Sequence, residues 1–275
     1  MLHLDQNRIA IRQRDFVDIL DLALKVVRTH AGPLGLALAV GVLPMALLNA
    51  WLLAGWREPD FGADFPATYM WYMTLLVVWQ TPLAMAPATL YLGKALFVGR
   101  PEARGIARDF RESLPQLIIY QVILRGLLTL PVVTWIFPYA GWPYLNEIIL
   151  LERNPFRAKD SRRISTWRRS RNLHSRQSGD LFGRWIGSLA VGGLLFTSIW
   201  CSIWFVSGML LAEWEWSQSM FTIFFPMTLW LLSGYFCVVR FLGYLDLRIG
   251  REGWEVELAM RAERVRLTKQ TAGPA

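Results

Sequence analysis

Histidine and cysteine are scarce in this chain. Three histidines (His3, His30, His174) and two cysteines (Cys201, Cys237) occur in 275 residues. The histidines lie far apart among basic or polar neighbours, which reads as solvated side chains. None is placed as the base that a serine nucleophile needs. HExxH, paired-cysteine metal spacing, a P-loop and a nucleotide fingerprint are all missing, so no metal site, cofactor or catalytic constellation is expected. Both cysteines sit inside uncharged apolar runs, where they read as small apolar side chains and not as a disulfide framework. Charge is scarce too. Only 18% of residues are charged against 54% hydrophobic and 13% aromatic, a balance outside the range of soluble domains.

What the chain has instead is uncharged length. Residues 31–56, 65–93, 185–212 and 216–239 contain no Asp, Glu, Lys or Arg. Each exceeds the roughly 20 residues that cross the hydrocarbon core of a bilayer as a helix. The first 30 residues carry too many charges for the apolar core of a secretory signal, so the first span is expected to act as an uncleaved anchor.

The cations between these runs set the orientation. Of 29 lysines and arginines, all but Arg57 and Arg125 fall in four segments: the N-terminal stretch, residues 94–111, the strongly basic stretch 153–184, and the tail from Arg240. The positive-inside rule places all four in the cytoplasm, with both termini, and requires an even number of crossings. The expected fold is an all-α polytopic membrane helix bundle of six transmembrane helices, in three pseudo-repeated hairpins with cytoplasmic interfacial helices. Spans are expected at about 31–56, 66–98, 114–136, 139–152, 181–212 and 217–244, in one transmembrane domain over 31–250. An N-terminal segment (1–30) precedes it and a tail (251–275) follows, in a bacterial inner membrane. The returning spans end alike, in YLGKALFVGRP, ILLERNP and YLDLRIGREGW.

Local signals refine this outline. Asp15 is suited to cap an amphipathic interfacial helix that Gly32 and Pro33 would break. Pro82 and Pro87 should each kink the second span. A polar break is expected at 113–115. The fourth leg, 142–152, has only about half the length a crossing needs, and it carries Asn146 and Glu147. Asp180 can cap the fifth helix. Gly183, Gly187, Ser188, Gly192 and Gly193 predict a face that a neighbouring backbone approaches closely. Arg125 lies well inside the third helix, where a charge is costly and marks either function or a bundle-facing residue paired with an acid or with backbone carbonyls. Glu152 closes the fourth leg beside a basic helix capped by Asp160 or Ser161, and is predicted to make a two-point contact with Arg169.

NEIILLERNP, RRSRNLHSRQSGDLFGRW and YLDLRIGREGWEVEL together resemble the bacterial six-helix membrane proteins related to the membrane domain of glycerophosphoryl diester phosphodiesterase. The resemblance singles out Glu152, Arg169 with Ser170, Tyr244, Asp246 and Arg248. It implies no phosphodiesterase activity, because the catalytic barrel has no counterpart here.

Two readings of function stay open. One is a non-enzymatic module acting through membrane lipids, with anionic headgroups on the basic stretch, or through membrane protein partners. The other is a small transporter or lipid-handling protein using an intramembrane polar cleft built on Arg125 and Glu147. Nucleic acid is set aside, since no aromatic stacking platform accompanies the basic charge.

Overall fold

A computed structural model describes residues 15–56, 66–97, 101–129, 142–156, 164–174, 178–211, 214, 216 and 218–252. Almost all of these are helical, and no strand occurs among them. The outer loop 57–65, Pro131 with the aromatic turn before Trp142, the Asp160 and Ser161 caps and the tail from 253 lie outside the described residues.

The apolar stripe Phe16, Ile19, Leu20, Ala23 and Val27 recurs at helical spacing and forms α1 (Phe16–Thr29). Ile19 and Ala23 are buried, and Tyr235 donates its hydroxyl to the Leu20 carbonyl at 3.0 Å. Asp15 has the extended backbone of a cap but makes no capping side-chain bond. The break falls at His30, before the expected Gly32 and Pro33. Those two residues occupy the first turn of α2 (Ala31–Leu52), where a proline forfeits no intrahelical hydrogen bond.

Ala67–Leu96 is the central helix: 67% of its most apolar window is buried, against 6% for Ala31–Leu52 and for Gly179–Leu210. It is interrupted once, at Met85, into α3 (Ala67–Ala84) and α4 (Ala86–Phe97), rather than kinked at each proline. Pro87 falls in the first turn of α4, so one break between Pro82 and Pro87 accommodates both. Gly41 of α2 meets this break. A Cβ on it would lie 1.9 Å from the Ala84 carbonyl oxygen, so only glycine allows the approach.

α5 (Ala103–Leu117) runs through Pro115 into a π segment, Ile118–Leu124, and then α6 (Arg125–Thr129). The polar break expected at 113–115 is therefore absent. The Ser113 hydroxyl instead bonds back to the Asp109 carbonyl at 2.9 Å, and the helix widens just downstream. The fourth leg is shorter than expected: α7 (Leu145–Glu147) and a π segment, Ile148–Glu152, span about 12 Å. It ends where Arg153 turns left-handed with φ 50°.

α8 (Thr166–His174) follows, its Arg168 N–H reaching the Ser165 hydroxyl at 3.4 Å. α9 (Ser178–Leu211) and α10 (Phe225–Glu252), the latter entered through the π segment Met220–Phe224, close the bundle. Asp180 lies inside the first turn of α9 and accepts Arg184 Nε at 3.0 Å, so it forms an i,i+4 pair instead of the predicted cap. Among the described residues, four helices are long and apolar enough to cross a membrane: Ala31–Leu52, Ala67–Leu96, Gly179–Leu210 and Met220–Gly250.

Candidate functional site: an intramembrane cleft with a charged end

The small residues of α9 do not admit a neighbouring backbone. Gly187 faces the Phe16 ring and Gly192 the Phe236 ring, while beside Gly183 and Gly193 a Cβ would meet open space. Missing side chains leave volume, and aromatic rings fill only part of it. The remainder is a half-open cavity of about 780 Å³ between α1, the central helix, the fourth leg, α9 and α10. Apolar groups such as Val78, Leu189, Phe196, Leu229 and Phe236 make most of its wall.

The polar part of the wall combines hydroxyls such as Thr81 and Ser233 with charged groups. Arg125, Asn146 and Glu147, expected from the sequence to share a cleft, do line one cavity, and Arg184 and Arg240 join them. Glu147, 1% exposed, accepts Arg240 Nη2 at 3.0 Å. Arg125 is buried and donates from Nη1 to Gln121 Oε1 at 2.9 Å, one turn back on the same helix. That side-chain amide is an acceptor the sequence reading did not include. Asn146 is buried, and its Oδ1 has no hydrogen-bond partner. Arg184 gives Nη1 and Nη2 to Asp246 Oδ2, each at 3.0 Å.

Tyr144 closes the inner end. Its hydroxyl lies against Gly243, where a Cβ would come within 2.7 Å and the ring would have to shift. His174 stacks on the Tyr144 ring. It is 5% exposed, contrary to the solvated side chain expected. Its burial is accommodated locally, because Nδ1 donates to the Ser170 carbonyl at 2.7 Å and Nε2 then accepts the Tyr144 N–H at 3.4 Å. His30 is also partly buried, 3.0 Å from the Tyr91 hydroxyl.

Beneath the cleft lies Glu152. Arg169 donates Nε to Oε2 at 2.7 Å and Nη2 to Oε1 at 2.8 Å, the predicted two-point contact. The Tyr244 hydroxyl donates to Oε1 at 2.8 Å, Asn154 Nδ2 to Oε2 at 2.9 Å, and Arg248 Nε stands 3.9 Å away. Glu152, Arg169, Tyr244 and Arg248 thus converge, whereas Asp246 turns away to Arg184. A second acidic hub, Asp109, binds Lys94 at 2.6 Å and Arg153. Burial alone would raise its pKa, but the hydrogen bonds and charges of Lys94 and Arg153 outweigh that and hold it below the usual carboxylate value.

Sequence reasoning missed Arg184 and Arg240 by counting them with the cytoplasmic stretches. Arg240 carried a signal, since Cys237, Val238 and Val239 precede it and Phe241 and Leu242 follow, an isolation like that of Arg125. Among the described residues, no cluster of His, Cys, Asp and Glu is arranged to hold a metal ion. Comparison with family models, with curated proteins and with solved structures returns no match.

Proposed function

We propose that this protein is a non-enzymatic integral membrane protein that takes a lipid-like amphiphile into the intramembrane cleft. One observation carries the reading: a cavity with a mostly apolar wall is also lined by the ion-paired Glu147 and Arg240 and by Arg184, which is paired with Asp246. A chain fits the wall, and a headgroup fits the charged end. A solute that stays hydrated in the bilayer would leave most of this wall unmatched.

The finer topology belongs to the same proposal. Six crossings place both termini in the cytoplasm of a bacterium and the cleft's charged end near the inner leaflet, as the resemblance to the six-helix membrane domain implies. The exposed arginines of α8, Arg168 and Arg171, then face the headgroups of anionic lipids.

Plugging the cleft tests this. Gly193 lines the cavity and a Cβ there would meet open space, so Gly193→Phe starts a bulky side chain at the cavity wall. Native mass spectrometry of protein in mild detergent should find retained lipid on the wild type and little on the variant. Equal retention by both would overturn the proposal.

A further inference from the structure

The cleft has a definite length. Its lining runs along α9 from Leu181 to Thr197 and along α10 from Leu229 to Gly243, about 24 and 21 Å at the helical rise. Charge lies towards one end, where Arg184 on α9 pairs with Asp246 and Arg240 on α10 pairs with Glu147. From Arg184 to Phe196 and from Arg240 to Leu229 the two helices offer about 18 and 17 Å of wall. Only Ser188 and Ser233 bring hydroxyls to that stretch, and the Ser188 hydroxyl donates to the Arg184 carbonyl at 2.8 Å.

Rings close the far end. Phe196 meets Trp200 and Phe225, each with ring centroids 5.8 Å away, and Trp200 also meets Phe221 at 5.9 Å. Trp200, Phe221 and Phe225 fill the gap between α9 and the entry to α10, where the lining stops.

Length and volume together limit what fits. With carbon–carbon bonds near 1.5 Å, an extended hydrocarbon chain advances about 1.3 Å per carbon, so about 14 carbons reach from the charged pairs to the Phe196 ring. A methylene takes about the room of a water molecule, roughly 30 Å³. One such chain fills about 420 Å³ of the 780 Å³ cavity and leaves the rest for a headgroup, whereas two need about 840 Å³.

We infer that the cleft takes a single-chain amphiphile and selects its chain length, with the rings at Phe196, Trp200 and Phe225 as the stop. The inference rests on the amphiphile reading above and names the ligand class for that site. A monoacyl phospholipid meets the requirement. A diacyl phospholipid carries a second chain that the cavity cannot hold.

The test uses the full chain in glyco-diosgenin, a steroidal detergent without an alkyl chain, and native mass spectrometry. The probes are decanoyl, myristoyl, palmitoyl, stearoyl and arachidoyl monoacyl phosphatidylcholines, with dimyristoyl phosphatidylcholine as the two-chain control. The myristoyl lipid should bind best. The arachidoyl lipid should bind roughly tenfold more weakly, the scale of overfilling a packed apolar site. The decanoyl lipid should also be weaker, because it leaves wall uncovered. Dimyristoyl phosphatidylcholine, with the same headgroup, should fall roughly tenfold below its monoacyl counterpart. Phe196→Ala should move the optimum to palmitoyl or stearoyl, whereas a residue that only stabilised the fold would weaken every probe alike. Should that variant fail to fold, Phe196→Leu should move the optimum in the same direction, and the wild-type series decides by itself. Equal binding across chain lengths, equal binding of one-chain and two-chain lipid, or an unchanged optimum in the Phe196 variant overturns the inference. The amphiphile reading then survives provided that Gly193→Phe abolishes binding. If Gly193→Phe leaves binding unchanged, the cleft is not the site and both proposals fall.

Discussion

Arg169 and Glu152, 17 residues apart, meet through two parallel hydrogen bonds of 2.7 and 2.8 Å. The same carboxylate accepts the Tyr244 hydroxyl at 2.8 Å, so it ties the fourth leg to both α8 and α10. Glu152→Gln and Arg169→Gln should each cost about 1–3 kcal/mol, because removing one partner strands the other. The double variant should cost less than the sum. Thermal unfolding in detergent and protease cleavage of the α8 segment in inverted vesicles measure this, and strict additivity would disprove the coupling.

The pair of buried Glu147 and half-buried Arg240 should behave in the same sense but more strongly. Arg240→Gln leaves a carboxylate in a nearly dry site, a loss of about 3–5 kcal/mol for a broken buried pair. Glu147→Gln in the same chain should recover part of it. Melting temperatures of the wild type, both single variants and the double variant decide, and a double variant no better than Arg240→Gln would contradict the pairing.

Asp109 predicts a pH dependence. Its folded pKa is lowered, so the unfolded chain takes up the proton first as pH falls. The stabilisation is complete above the ordinary carboxylate value of about 3.9 and disappears as pH falls through the lower folded value. Acid should therefore loosen the contact between α4 and α5. Asp109→Asn should be less stable at neutral pH, with a flatter acid limb in a thermal melt series from pH 6 to pH 3. Parallel acid limbs in variant and wild type would reject the assignment.

Gly41 and Gly193 make a matched pair of substitutions. Gly41→Ala forces a Cβ against the Ala84 carbonyl, whereas Gly193→Ala enters open space. The first should cost about 1–3 kcal/mol or more by overpacking, and the second should be neutral or stabilising by up to about 1 kcal/mol. Unfolding of the two variants side by side checks the order.

A reporter fused after Ala275 should be active on the cytoplasmic side if six crossings hold. A periplasmic readout would mean an odd number, and the short fourth leg would be the first candidate for a segment that does not cross.

Periodicity and charge were enough to read the outline from sequence. Uncharged length marked four long helices, and the stripe from Phe16 to Val27 marked α1. Contacts between distant segments were legible where chemistry left little choice, as with Glu152, a carboxylate at a boundary whose nearest available cations were on one helix. Where depth mattered, linear counting failed. Arg184 and Arg240 were counted with the cytoplasmic cations although they fall within the expected spans 181–212 and 217–244, because a charge count carries no coordinate along the bilayer normal. His174 was read as solvated because its neighbours in sequence are polar, yet its surroundings in space are Tyr144 and Ser170. The glycines of α9 signalled close packing, but glycine spacing does not distinguish an approaching backbone from an aromatic ring or a void.

Arg153 ends the fourth leg in the left-handed region, which disfavours an arginine by about 1–2 kcal/mol. Its side chain is held by Asp109, a residue of α5. During synthesis Asp109 leaves the ribosome 44 residues before Arg153, so the anchor exists before the turn that needs it. The order of emergence thus matches the order of dependence. A circularly permuted chain that delivered Arg153 first would have to make this turn unaided, and it should insert and mature more slowly even if its final fold were the same.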